Sequence, residues 1–144
     1  MKKAILIIAI GFSAIVANAQ KVKEADVPGE VKAAFTKQYP TTKAEKWEKE
    51  NGNYEAEFDY NKSEMSVVID PKGNIIETET EIKVSELSKA ITDYCAKNYA
   101  GKKIKEASKI VDSKGAITYE AEIEKMDVLF DANGKFIKES KDND

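Results

Sequence analysis

Four glutamates have the charge and the spacing to do chemistry in this chain. The segment YEAEF carries Glu55 and Glu57, and the later segment YEAEI carries Glu120 and Glu122. Brought together, such carboxylates could bind Ca²⁺, which takes several oxygen ligands, or could form the acid and base of a hydrolase. A row of charges on a solvated sheet face is favoured, because residues two apart on one strand are too spread to form a metal cage alone.

The remaining motifs do not favour an enzyme. The chain has no histidine, the commonest general base and zinc ligand. The segment that begins at Asp131, DANG, is similar to the start of a calcium loop, but it has Lys135, Phe136 and Asp142 where that loop needs an oxygen ligand, a glycine and a glutamate. We therefore predict a non-enzymatic protein without a cofactor, and Ca²⁺ binding stays open as the alternative.

Two single side chains could also act at a surface. Cys95 is the only cysteine, so no internal disulfide can form, and its place on the apolar side of a predicted helix favours a buried thiol. Trp47 could anchor a partner, but a core tryptophan is the favoured interpretation.

The N-terminus indicates export. Lys2 and Lys3 precede an apolar run at 4–16, and the small-x-small segment 17–19 is followed by Gln20. This pattern predicts a signal peptide over residues 1–19 that is cleaved after Ala19, and a periplasmic or secreted mature chain that is not inserted in the membrane. The formal net charge of −3, with lysines and glutamates scattered, disfavours nucleic acid as a partner.

The two YEAE segments belong to a longer repeat. Each is followed by an apolar run, an Asp-x-x-Gly turn and an apolar pair, at 66–76 and 127–137. Each is preceded by an apolar stripe at helical spacing, which places Val31, Phe35 and Tyr39 in correspondence with Ile91, Cys95 and Tyr99. The sequence thus predicts one domain, 20–144, made of two repeats at about 28–82 and 85–140.

Each repeat is predicted to be a helix followed by four strands. The first helix begins near Pro28 and ends before Pro40, and the second has Ser85 as its cap and Leu87 on its apolar stripe. Residues 104–111 also fit a helix, but their position between the same neighbours favours a strand. The strands are expected near 43–49, 53–60, 64–69 and 75–82, and near 104–111, 116–124, 126–131 and 135–140.

The expected fold is α+β: two tandem helix-plus-four-strand units that form one antiparallel sheet, with both helices on one face over a continuous core. The alternation within the YEAE segments places aromatic and alanine side chains under the helices. The four glutamates then lie on the opposite, exposed face, which is the candidate binding face.

The order of several motifs resembles the PepSY-like proteins, also called β-lactamase-inhibitor-like. They are Val27-Pro28, then Val31, Phe35 and Tyr39-Pro40, then Trp47-Glu48, YEAEF and Asp70-x-x-Gly73. The resemblance implies small secreted or periplasmic bacterial modules that bind or regulate, and it does not imply inhibition of a β-lactamase. We therefore expect a binding or inhibitory module that docks a protein or peptide on its exposed sheet face. The alternative is a calcium-responsive acidic protein, a label that some relatives carry.

Overall fold

The structure is a computed structural model that describes residues 19–141. The helices are α1 (Gly29–Gln38) and α2 (Lys89–Asn98). The strands are β1 (Gln20–Val22), β2 (Lys46–Glu50), β3 (Asn53–Tyr60), β4 (Ser63–Ile69), β5 (Ile75–Ile82), β6 (Ile104–Asp112), β7 (Ile117–Ile123), β8 (Met126–Asp131) and β9 (Phe136–Lys141).

All nine strands form one antiparallel sheet in the order of the chain. The predicted Asp-x-x-Gly turns connect β4 to β5, β6 to β7 and β8 to β9. In each turn one carboxylate oxygen of the aspartate accepts hydrogen bonds from the backbone N–H groups two and four residues later. The fold class is therefore α+β, as predicted, and residues 104–111 form a strand rather than a helix.

The start of the second helix differs from the prediction. Ser85 lies in a short 3₁₀ turn (Val84–Glu86), which is closed by a hydrogen bond from the Lys83 N–H to the Glu86 carboxylate. The helix begins three residues later, where Ser88 Oγ accepts a hydrogen bond from the Ile91 N–H. Ser85 as the cap was therefore wrong, and Leu87 is buried but precedes the helix.

Strand β1 was not predicted. It has only three residues, too few to show an alternating pattern, and it is held by its pairing with β2, in which Val22 lies opposite Trp47. The end of β5 precedes α2 as β1 precedes α1. It is likewise paired with the strand that follows the helix, since Ile82 lies opposite Ala107 on β6.

Both helices pack on one side of the sheet, called here the helix face. Ala56, under α1, is directly opposite Val67, which is opposite Thr78, which is opposite Val111 on β6. Directly opposite residues project from the same side, so the helix face runs from the half of the sheet under α1 to the half under α2. Two separate clusters of buried side chains lie on this face, one under each helix. The expectation of a continuous core was wrong, because the polar pair Thr80 and Lys109 occupies the helix face between the clusters.

The side chains expected in the core lie there. Phe35 on α1 contacts the rings of Tyr39, Trp47 and Phe58. Trp47 and Cys95 are both buried, which confirms the favoured interpretation of each. Burial also raises the pKa of the Cys95 thiol, which disfavours its reactive thiolate form.

Candidate binding face

The side of the sheet opposite the helices, called here the acidic face, carries a two-dimensional array of carboxylates. Strand pairing places them in rows across the sheet, because residues directly opposite on neighbouring strands project from the same side. On β5 this side carries Glu77, Glu79 and Glu81. Its other members include Glu48, Glu55, Glu57, Glu106, Asp112, Glu120, Glu122 and Asp127.

The four predicted glutamates lie on this face, but most of them are not solvated. Glu55 is 4% exposed, Glu57 and Glu122 are each 8% exposed, and Glu120 is partly exposed. The expectation of an exposed row of charges was therefore wrong. A period of two in the sequence gives the side of the sheet on which a residue lies, and it does not give the depth of burial.

One lysine neutralises part of the array. Lys46 Nζ lies 3.0 Å from Glu48 Oε1 and 2.9 Å from Glu57 Oε1, so it bridges two buried carboxylates on adjacent strands. Burial alone would lower the pKa of Lys46, but the hydrogen bonds to Glu57 and Glu48 outweigh it and raise that pKa. At the far side of the array, Lys105 Nζ lies 4.0 Å from Glu122 Oε1.

Glu79 lacks such a partner within the described part of the chain. It lies in the middle of β5, the central strand, is 0% exposed, and neither of its carboxylate oxygens makes a hydrogen bond of normal geometry. Burial raises its pKa well above the ordinary value, and the charges of Glu120, Glu55 and Glu77 add to this. The nearby Ser108 hydroxyl opposes the rise but does not reverse it.

Two neighbouring carboxyl groups also have raised pKa values, so that each is partly protonated near neutral pH. Burial raises the pKa of Glu55 to about 8, with the Ser66 hydroxyl lowering it and the carboxylates of β2 and β3 raising it further. Burial and Asp112 raise the pKa of Glu77 to about 7, and Lys138 opposes this rise. The central part of the acidic face therefore carries less negative charge at neutral pH than its composition suggests.

Three apolar side chains lie among the carboxylates. They are Val68 on β4, Ile110 on β6 and Leu129 on β8, and each lies directly opposite a glutamate: Glu77, Glu79 and Glu120 respectively. Ile110 is 7% and Leu129 is 4% exposed, yet neither belongs to the two clusters under the helices. The acidic face thus places aliphatic side chains, two of them buried and Val68 partly exposed, beside carboxylates in a regular pattern.

Sequence reasoning missed the central part of this array. The segment of β5, IIETETEI, alternates as strictly as YEAEF does, and it places Glu77, Glu79 and Glu81 on one side. The alternation was visible, but threonines rather than aromatic side chains occupy the opposite positions, so nothing marked the strand as part of a site.

The geometry gives calcium binding no support. Among residues 19–141, no three or more acidic or cysteine side chains are grouped so that they could hold a metal ion. Within the same residues, no helix is long and apolar enough to cross a membrane.

The fold and this face define a class of protein. The described residues form a sheet of nine antiparallel strands with two helices on one side. A family model described as "Putative beta-lactamase-inhibitor-like, PepSY-like" matches residues 13–77 and again residues 70–138. The chain belongs to this family. No curated protein matches it.

Solved structures from three species share the fold. A "putative periplasmic" protein of Bacteroides eggerthii is 18% identical, with a TM-score of 0.71 over 80% of this chain and 88% of that one. A DUF2874 family protein of Bacteroides uniformis is 22% identical, with a TM-score of 0.70 over 79% and 88%. A BLIP-like protein of Bacteroides fragilis is also 22% identical, with a TM-score of 0.60 over 81% and 88%. At these identities the similarity establishes the fold alone.

Proposed function

We propose that the protein is a non-enzymatic periplasmic module that binds, and thereby inhibits or regulates, a protein or peptide partner through its acidic face. The observation that carries this proposal is the pair Ile110 and Leu129, which are aliphatic and lie on the side of the sheet away from both helices. These two side chains are buried under their neighbours on the acidic face and so give the middle of this face an apolar centre within a polar rim, which is the arrangement of binding surfaces. The family's inhibitor-like description points in the same direction.

A photo-crosslinking experiment tests this proposal. A crosslinking amino acid at Thr118, in the middle of the acidic face, is expected to give a discrete adduct in cells that produce the protein. The same amino acid at Lys37, an exposed position on α1, is the control and is expected to give none. Adducts from Lys37 but not from Thr118 would contradict the proposal.

Export belongs to the same proposal. The signal peptide, residues 1–19, is removed after Ala19, and the mature chain begins at Gln20; residues 1–18 lie outside the described part of the structure. The periplasmic description of the Bacteroides eggerthii structure supports this location. Mass spectrometry of the exported protein is expected to find Gln20, cyclised or not, as the first residue, and a retained Met1 would contradict cleavage.

We also propose that the single domain, 20–144, arose from two tandem repeats. The family model matches the chain twice, and equivalent pairs have the same register: Val22 lies opposite Trp47, and Ile82 lies opposite Ala107 sixty residues later. Each repeat then also includes the strand before its helix, which is β1 in the first repeat and β5 in the second. In this arrangement β5 ends the first repeat and begins the second, so the boundaries at about 28–82 and 85–140 widen to overlap in β5.

A further inference from the structure

We propose that the partner is a peptide segment that alternates aliphatic and basic side chains, and that one Lys or Arg of this segment pairs with Glu79. The inference rests on the proposed function, because it names the chemistry of the partner for the same face. It is carried by two independent observations: the unpartnered carboxylate of Glu79, and the regular placement of aliphatic side chains opposite glutamates.

The first observation concerns two buried polar groups. Ser66 and Glu79 lie directly opposite each other on β4 and β5, and both are 0% exposed. Within residues 19–141, neither the Ser66 hydroxyl nor either carboxylate oxygen of Glu79 makes a hydrogen bond of normal geometry, although the Ser66 hydroxyl acts on Glu55 and the Ser108 hydroxyl acts on Glu79. Buried polar groups in folded proteins are nearly always satisfied, so two adjacent unsatisfied ones indicate a missing partner. A carboxylate and a hydroxyl oxygen side by side can both accept hydrogen bonds from one cation that only donates, either an ammonium or a guanidinium group.

The second observation is the pattern around Glu79. Val68, Ile110 and Leu129 lie on alternate strands, β4, β6 and β8, and the glutamate opposite each lies on β5 or β7. Along the sheet from β4 to β8, aliphatic side chains therefore alternate with glutamates from one strand to the next. A partner segment that crosses this pattern needs aliphatic and positively charged side chains in turn, which is a chemical complement in both size and charge.

Access to Glu79 restricts the basic residue further. Because Glu79 is fully buried, only a slender side chain with its charge at the tip can reach it, after the neighbouring side chains of the face rotate aside. Lys and Arg have this form, since each carries its charge on a flexible aliphatic stem that can pack along Ile110. A small metal ion suits the site poorly, because no three acidic side chains are grouped to hold one within residues 19–141.

Pairing with a cation also changes the protonation of the site. Burial and the charges of Glu55, Glu77 and Glu120 raise the pKa of Glu79 and so favour its protonated form in the absence of a partner. An arriving ammonium or guanidinium group favours the carboxylate, so the proton leaves Glu79 for the solvent as the ion pair forms. Binding of a basic peptide should therefore release about one proton more from the wild-type protein than from a protein that has glutamine at position 79.

The experiment measures binding of three synthetic peptides of equal length by calorimetry at pH 7. The first peptide alternates Lys and Leu, the second has Glu in place of Lys, and the third has Ser in place of Leu. We expect measurable binding of the first peptide only, weakened by added salt. Varying the peptide leaves the fold undisturbed. Equal binding of the first and third peptides, or preference for the second, would overturn the inference.

Two protein variants complete the test. Glu79→Gln keeps the shape and removes the ability of this side chain to ionise when a cation arrives, and it is expected to weaken binding of the Lys-Leu peptide by about 10-fold or more and to abolish the extra proton release. Glu30→Gln removes an exposed carboxylate on α1, away from the acidic face, and is expected to alter binding less than about 2-fold. Equal effects of the two variants would mean that only long-range charge acts, and the pairing with Glu79 would be rejected.

The failures of the two proposals can be told apart. If crosslinking from Thr118 captures a partner but the Lys-Leu peptide does not bind, the partner has other chemistry and only this inference fails. If crosslinking gives no adduct from Thr118, the proposed function of the face itself fails.

Discussion

Ser66 lies directly opposite Glu79 on the neighbouring strand, and within residues 19–141 the polar group of neither side chain makes a hydrogen bond of normal geometry. Burying this pair of polar groups in the middle of the acidic face lowers the free energy of unfolding. An unfolded chain would let the Glu79 carboxyl group ionise near pH 4.5, whereas the folded chain holds it protonated to a much higher pH.

The first prediction is that the protein loses stability as the pH rises. Since the pKa of Glu79 is higher in the folded than in the unfolded state, the unfolded state binds fewer protons above pH 4.5, and the free energy of unfolding falls as the pH increases from there. One such group contributes a slope of up to about 1.4 kcal/mol per pH unit. Glu79→Gln is expected to reduce this slope and to raise the melting temperature at pH 8 more than at pH 5. A melting temperature that rises from pH 5 to pH 8 would contradict the burial of these carboxyl groups.

The second prediction concerns the glycine that ends the turn between β4 and β5. Gly73 has φ +85°, and a Cβ atom there would lie 2.9 Å from the backbone oxygen of Glu30 on α1. Gly115 has φ +80° in the equivalent kind of turn, but nothing lies within 4 Å of its Cβ position. Both alanine variants carry similar backbone strain, about 1–2 kcal/mol. Gly73→Ala is expected to cost at least about 1 kcal/mol more than Gly115→Ala in urea unfolding, because the helix must also shift.

Equal losses for the two glycine variants would show that the turn does not fix the position of α1.

The third prediction compares two lysines. Lys46→Met leaves Glu48 and Glu57 close together without their shared cation, and it is expected to destabilise the fold by about 1–3 kcal/mol at pH 7. Lys89 pairs with Asp93 at 2.6 Å, but its side chain is 85% exposed, so Lys89→Met is expected to change stability by less than about 0.5 kcal/mol. Chemical denaturation measures both, and a larger loss for Lys89→Met would contradict the bridging role of Lys46.

The fourth prediction uses the two separate cores. Phe35→Ala and Ile91→Ala are each expected to destabilise the protein by ~2–5 kcal/mol, because both side chains are buried under their helices. Losses below about 0.5 kcal/mol would mean that the helices do not cover the sheet.

The milder pair Phe35→Leu and Ile91→Val tests whether the cores are independent. Because the two residues belong to different clusters, the double variant is expected to lose the sum of the single losses within about 0.5 kcal/mol. A larger deviation would show that the cores act as one.

The fifth prediction is that millimolar Ca²⁺ leaves the melting temperature unchanged, both in the wild type and in a variant with Gln at positions 55, 57, 120 and 122. A ligand bound only by the native state would stabilise it by RT ln(1 + [L]/Kd). A rise of several degrees in the wild type alone would favour the calcium-responsive alternative.

The parts of the fold that could be predicted are those with a local signal. Strands β3 and β7 alternate aromatic or aliphatic with acidic residues, and the aspartate and glycine of each turn mark where the strands end. Strand β1 has no such signal, since its three residues are ordered only by pairing with β2 across an intervening helix. The prediction for Ser85 was wrong because Ser88, three residues later, offers the same capping hydroxyl, and the sequence alone does not show which of the two serines begins the helix.

The sequence predicted the side of the sheet on which the candidate site lies, but it did not predict that most of the side chains there are buried. Alternation placed Glu55 and Glu120 on the correct side of the sheet, whereas burial depends on side chains from distant strands that no local pattern describes. Glu79, the residue that carries the strongest inference, lies in a strand of glutamates and threonines whose central position in the sheet follows only from the order of all nine strands.

The order of the strands also has a consequence for how the chain folds. Every strand pairs only with those before and after it in the chain, so most connections are short turns with little entropy of loop closure. Only the connections at 23–45 and 83–103 are longer, and each contains a helix. The sheet can therefore grow by one strand at a time from the N-terminal side, with β5 as the edge to which the second half is added.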